Sequence, residues 1–176
     1  MPLDQDDLKK LGCTLAGGLL GAALLQHHHD QARKSQAERD DSEGVEWICN
    51  LIGDLLNDWE PRHYDEEEGY TRSLFRYLKR ELDDLLEEDD PDVTLEMWPS
   101  TAHGVPDILI NDRLALELKV NPKKDERDRL VGQCCGYSRE WVTWAIVIDL
   151  PPHKVRELEE LLAAKSLHYI DVIPFN

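Results

Sequence analysis

Positive charge is what this sequence lacks most. Twenty Lys and Arg face 37 Asp and Glu, for a formal charge of −17 and a pI near 4.7. That balance excludes broad adhesion to nucleic acid or anionic membrane, though not a local basic groove. It fits a cytoplasm of high salt as well as an ordinary acidic cytosolic protein. Cysteine is also sparse: Cys13 and Cys49 are isolated, Cys134 and Cys135 are adjacent, and no Cys-x-x-Cys occurs. A cysteine zinc site and a disulfide framework are therefore both excluded, leaving reduced thiols in an intracellular protein.

A long hydrophobic run is missing too. The longest, Leu11 to Leu25, is diluted by glycine and falls short of the roughly 20 residues a bilayer span needs. Lys9 and Lys10 precede it as in a signal peptide, but Asp4, Asp6 and Asp7 come earlier and no small-x-small cleavage site follows. Gly17 and Gly21 suit close helix contact. The expectation is a helix packed on protein, with a tether to a membrane or partner through residues 11–25 as the alternative; the expected location is cytoplasmic, or membrane-tethered on the cytoplasmic side. His27, His28 and His29 read as solvated helix-end residues, because adjacent histidines on a helix lack the i, i+4 spacing that brings two onto one ion. Asp30 to Gly44 shows no apolar periodicity. The domain boundary is placed near Gly44, giving a 1–44 segment and a 45–176 domain.

What the domain does have is periodicity. Ile48, Leu51, Ile52, Leu55, Leu56 and Trp59 have helical spacing, stopped by Pro61. A second helix opens on Asp65 to Glu68 and runs to about Glu87, with Tyr70, Leu74, Tyr77, Leu78, Leu82 and Leu85 as its buried stripe. Acids in a first turn favour the helix dipole, but Glu67 alone extends the stripe of Tyr70, Leu74 and Leu78 and so points inward. Val93 to Trp98 alternates as a strand. Ile108–Ile110 and Leu114–Val120 read as two strands around a turn at Asn111-Asp112. A helix from Lys123 to Glu140 follows. Val142 to Ile148, apolar on both faces, reads as a mid-sheet strand. A helix from Pro152 to Lys165 and a strand from Leu167 to Ile173 complete the order αβββαβαβ, an α/β domain with a mixed central sheet flanked by helices. Trp98, Trp141 and Trp144 are expected in the core.

The chemistry concentrates in Gly104 to Val120. Strand alternation puts Leu114, Leu116, Leu118 and Val120 on one face and Ala115, Glu117 and Lys119 on the other. Asp107, after Pro106, can reach the second face. A hairpin with its polar face in water would show the same tripeptide. Two carboxylates and a lysine converging at paired strands would instead make a metal site with a proton-handling or water-positioning group.

Pro106-Asp107 followed by Glu117-Leu118-Lys119, within this order of elements, resembles the PD-(D/E)xK nuclease superfamily, the restriction-endonuclease-like fold. Gln133 and Tyr137 form a Gln-x-x-x-Tyr that resembles the motif of RecB-type nucleases, and i, i+4 spacing sets them on one helix face. The resemblance covers about residues 65 to 173. It implies a divalent-metal-dependent nuclease acting on DNA in repair, restriction or mobile-element defence, with Mg²⁺ as the cofactor and Mn²⁺ as its substitute. It further implies that Asp107 and Glu117 bind the ion, that Lys119 orients or activates the attacking water, and that an acid on the first core helix joins them, Glu67 by position with Glu68 as fallback. Magnesium takes oxygen ligands and retains waters, so the Leu118 backbone carbonyl would complete the set. Lys119 between carboxylates favours its charged form and acts by orientation and electrostatics. Gln133 and Tyr137 would help position the substrate and the active site.

Phosphate contacts are expected from residues 119–129, where Lys119, Lys123, Lys124, Arg127 and Arg129 outnumber Asp125, Glu126 and Asp128. The same residues could form helix ion pairs. The rival reading is a non-catalytic nucleic-acid-binding or assembly module on this fold.

Overall fold

The computed structural model describes residues 42–86, 92–165, 167 and 170–175. The apolar segment 11–25, the histidine triplet and the linker up to residue 41 lie outside the described residues. The chain divides between Gly44 and Val45, and the second unit is described below. Helix α1 covers 42–58, with α2 at Glu67–Leu85, β1 at Leu95–Met97, β2 at Ile108–Ile110 and β3 at Leu114–Val120. Helix α3 is Lys124–Tyr137, β4 Val142–Ile148, α4 Pro152–Ala164 and β5 Asp171–Phe175. Among the described residues no helix is long and apolar enough to cross a membrane.

The five strands form one mixed sheet in sequence order, β1-β2-β3-β4-β5. The first three pair antiparallel, and β3, β4 and β5 run parallel. Strand alternation sorts the core into two layers. Ile108, Ile110, Leu114, Leu116, Leu118, Ile146 and Ile148 face α1 and α2, which contribute Ile52, Leu56, Leu74 and Leu78. Ala145 and Val147 face α3 and α4, meeting Leu130, Cys134, Leu158 and Leu162. Both faces of β4 are thus covered, as its doubly apolar sequence requires. Each fully buried Leu or Ile stabilises by about 1.5–3 kcal/mol, so these layers hold the hairpin rigidly between them.

The turn between β2 and β3 follows from its residues. Asn111 and Asp112 take φ of 50° and 52°, the left-handed region that Asn and Asp tolerate best among non-glycine residues. The Asn111 amide also reaches sideways: its Oδ1 accepts from the Thr94 N–H at 2.5 Å and its Nδ2 donates to the Asp92 carbonyl at 3.2 Å. Asn111→Ala should therefore cost about 1–2 kcal/mol, from strain at positive φ and the loss of the side-chain hydrogen bonds. Urea denaturation checks this; a loss under about 0.5 kcal/mol would show that the turn does not depend on this side chain.

One element departs from the sequence expectation. The last strand is not Leu167–Ile173 but Asp171–Phe175. Leu167 and Ile170 are buried in the α3/α4 layer, and the Leu167 N–H donates to Leu162 O at the end of α4. The strand includes Pro174, which β5 accommodates because it lies at the sheet edge and can leave one N–H position unpaired.

Candidate active site

Three elements deliver the acidic residues to one place. Asp107 precedes β2, Glu117 and Lys119 lie on β3, and Glu67 opens α2. The Lys119 Nζ stands at the centre: it donates to Glu67 Oε1 at 2.8 Å, to Glu117 Oε1 at 3.1 Å and to the Leu118 carbonyl at 2.7 Å. Asp107 is held on both oxygens. Its Oδ2 accepts from the Leu118 N–H at 2.8 Å and its Oδ1 from the Trp98 indole N–H at 3.1 Å. Glu68 instead pairs with Arg72 on the helix surface, so Glu67 is the helix acid that meets the lysine. The stripe argument explains the difference, since one residue further along turns the side chain about 100° away.

Glu117 is 2% exposed. Its cross-strand partner is Ala145, and Ala115 lies two residues back on its own face, so small side chains leave it depth beneath α3. From that helix Gln133 Nε2 donates to Glu117 Oε1 at 2.6 Å. Oε1 therefore accepts from both the lysine and the glutamine, whereas Oε2 is buried without a hydrogen-bond partner. Buried polar atoms are nearly always satisfied, and an orphaned carboxylate oxygen beside other acids could hold a cation.

The electrostatics follow the same geometry. Burial, then the charge of Asp107, push the Glu117 carboxyl up to about 7, against the pull of Lys119. Burial also raises Asp107, opposed by the Leu118 N–H and by Lys119. Burial works against the Lys119 ammonium, yet Glu117 and Glu67 outweigh it and the pKa is raised. Lys119 is thus a held cation rather than a poised base. Two crowded carboxylates with raised pKa values around one ammonium make this cluster the candidate functional site.

Gln133 is at the site, and Tyr137, expected to help position the substrate and the active site, bears on the loop that precedes β2. Tyr137 is 2% exposed, and its hydroxyl donates to the Val105 carbonyl at 3.0 Å. Its ring lies where a Cβ on Gly104 would come within 3.0 Å, and Gly104 has φ of 126°, so both space and backbone require glycine there. Tyr137 therefore holds the loop that delivers Asp107. Burial and the nearby Glu117 push its hydroxyl up to about 12.

Arg127 also departs from its expected role. It is buried, donating to Pro122 O and to Glu157 Oε2, both at 3.2 Å. It fastens α3 to α4 and does not project as a phosphate ligand. Lys123, Lys124 and Arg129 are exposed. With Lys119 held by carboxylates and Arg127 by Glu157, the five cations of 119–129 fall to three, matched by Asp125, Glu126 and Asp128.

Trp98 was expected in the core, as Trp141 and Trp144 are. It is instead half-buried at the rim of the site. Its backbone N–H donates to the Asp107 carbonyl at 3.1 Å, its indole holds the Asp107 side chain, and its φ is 53°. A bulky residue at positive φ is strained, and here the strain accompanies two bonds to one acid. Arg72 lies over the indole ring, 4.9 Å from its centroid. Only the Pro99 that follows Trp98 hints at this in the sequence, by ending the strand there.

The donor set suits a hard divalent ion: Asp107, the orphaned Glu117 Oε2 and the Leu118 carbonyl are all oxygen ligands. With Lys119 among them, no group of three or more His, Cys, Asp or Glu side chains in the described residues is set to hold an ion. No family model, curated protein or solved structure matches the chain.

Proposed function

We propose that this protein is a divalent-metal-dependent nuclease with a restriction-endonuclease-like core, hydrolysing phosphodiester bonds in DNA. The observation that carries the reading is the buried Glu117, whose Oε2 has no partner while Asp107, Glu67 and Lys119 gather around it. A purely structural acid at this depth would be fully satisfied or replaced by an apolar residue.

In hydrolysis, a water oxygen forms a bond to phosphorus, the bridging P–O bond breaks, and the water proton departs while the leaving oxygen gains one. Asp107, Glu117 and the Leu118 carbonyl would hold Mg²⁺ or Mn²⁺, with Glu67 beside them. When bound, such an ion neutralises charge growing on the phosphoryl oxygens and acidifies a bound water. The chain's own residues set the stage. Trp98 and the Leu118 N–H fix the Asp107 carboxylate, Gln133 fixes Glu117, and Tyr137 fixes the loop between Thr101 and Asp107. Lys119, charged and with its three N–H donors spent on Glu67, Glu117 and the Leu118 carbonyl, acts through its positive charge and by orienting those ligands, without taking the proton itself.

The test is a cleavage panel of linear, circular and single-stranded DNA, with Mg²⁺ or EDTA. Cutting is expected only with the ion, and Asp107→Ala should lower the rate by at least about 100-fold while retaining the far-ultraviolet circular dichroism of the parent. Equal rates in parent and variant would assign the cutting to a contaminant. A well-folded parent that cuts nothing with the ion supplied would favour the non-catalytic module.

A further inference from the structure

The acid cluster explains how a phosphodiester could be cut but not how so acidic a chain holds a polyanion. The edge expected for that task, 119–129, retains no surplus of exposed cations. A different surplus lies on α2. From Tyr70 to Arg80 the helix reads Tyr-Thr-Arg-Ser-Leu-Phe-Arg-Tyr-Leu-Lys-Arg, with Arg72, Arg76, Lys79 and Arg80 and no acid. Its apolar stripe is buried in the sheet, and Arg72, Arg76, Lys79 and Arg80 are exposed. Arg72, Arg76 and Arg80 follow one another at i, i+4 spacing, so they advance about 6 Å per step along one side of the helix.

Two structural facts turn this spacing into a path. At its active-site end, Arg72 stacks on Trp98, whose indole grips Asp107. At its other end, Arg76 and Arg80 border a cleft of about 400 Å³ together with Arg62, Tyr64 and Tyr77. Asp58 and Glu60 also border it, leaving the lining one positive charge in excess in a chain of net charge −17. Arg62 and Arg76 have no hydrogen-bond or ion-pair partner among the described residues. Arg72 and Arg80 pair with Glu68 and Glu81 on the exposed surface, where such pairs are weak and readily exchanged for phosphate. Tyr77 is anchored by its hydroxyl to Leu55 O at 3.0 Å, which fixes the wall of the cleft. Beyond it Glu81, Asp83 and Asp84 close the basic run.

We infer that the outer face of α2, from Trp98–Arg72 to the Arg62–Arg76–Arg80 cleft, is the track for a single strand of nucleic acid approaching the acid cluster. The inference rests on the nuclease reading for what lies at the end of the track. A row of cations one helix face wide, interleaved with Trp98, Tyr77 and Tyr64, matches how single strands are bound: charge follows the backbone and aromatic rings meet the bases. A duplex would present two backbones and needs a wider basic surface.

The experiment measures binding separately from cutting. A fluorescent single strand of about 12 nucleotides is titrated with the full chain in EDTA, by anisotropy, across a series of KCl concentrations. Arg76→Ala/Arg80→Ala should weaken binding about tenfold and flatten the log K against log salt slope by about 1.4, which is 0.7 for each of two lost phosphate contacts. Arg156→Ala, the same kind of charge loss on exposed α4, should change neither. An unchanged affinity and slope in the double variant overturns the track even if the parent cleaves DNA. Arginine-dependent binding by a chain that cleaves nothing would keep the track and remove the nuclease reading. Tighter binding of a matched duplex than of the single strand, or no binding of either, overturns the assignment.

Discussion

Lys119→Ala should abolish cleavage, by about 10³-fold or more, and its effect on stability should depend on pH. The Nζ ties Glu67, Glu117 and the Leu118 carbonyl together. Removing it takes away the only cation bonded to Glu117 among the described residues, and breaking a buried ion pair from one side commonly costs about 3–5 kcal/mol. Glu117 has a way to limit that cost. With its carboxyl already pushed up to about 7, loss of Lys119 raises it further, and the neutral acid is tolerated in the interior. The variant should therefore lose about 1 kcal/mol at pH 6 and about 3 kcal/mol at pH 8.5, read by urea denaturation at each pH. Calorimetry supplies a second readout: without the ammonium competing for the same oxygens, the variant should bind Mn²⁺ at least as tightly as the parent. Cleavage within tenfold of the parent, or a stability loss independent of pH, would show that Lys119 is an ordinary surface-edge lysine.

Glu117→Gln should give a protein that is inactive yet more stable at pH 8. The sign follows from proton linkage. The folded carboxyl titrates at about 7 against an ordinary value of 4.5, chiefly because it is buried. Between those values the folded chain binds more protons than the unfolded chain, so stability falls as pH rises. Above pH 7 the full penalty applies, on the order of 3 kcal/mol; below pH 4.5 both states are protonated and the penalty vanishes. Glutamine keeps the shape and still accepts from Lys119 or Gln133, but carries no charge to bury. The variant should gain about 1–3 kcal/mol at pH 8 and almost nothing at pH 5, while cleavage falls by at least about 100-fold. A variant less stable than the parent at pH 8 would mean that the carboxylate contributes more through Lys119 than it loses by burial. Stabilisation upon removing an acid is what a site held for chemistry predicts, since such sites trade stability for reactivity.

The acid cluster is largely legible in the sequence. Alternation assigns Glu117 and Lys119 to one face of β3, and the 3.6-residue stripe of α2 turns Glu67 rather than Glu68 inward. Both are local rules, because a side chain's direction depends only on the backbone carrying it. The same rules separated β4, apolar on both faces, from β3, where one face carries charge. They failed where direction was not the question. Arg127 reads as one more cation in a basic run until α4, 30 positions on, brings Glu157 to it. Tyr137 reads as a residue that positions substrate and active site, but only the fold brings the loop at Gly104 and Val105 beneath its ring. Trp98 reads as core because large aromatics usually are, and its left-handed backbone and its grip on Asp107 are properties of the assembled hairpin.

By itself the sequence determined the order of the elements and the faces that Glu67, Glu117 and Lys119 occupy, since these follow from periods of two and 3.6 residues along a single chain. It also determined that any polyanion must meet a local patch. Only the tertiary structure decided that Lys119 stands among Glu67, Glu117 and the Leu118 carbonyl, that Glu117 Oε2 is left without a partner, and that Arg127 of α3 is tied to Glu157. Those outcomes depend on which groups distant segments bring within about 3 Å of one another, a distance that no spacing along the chain encodes.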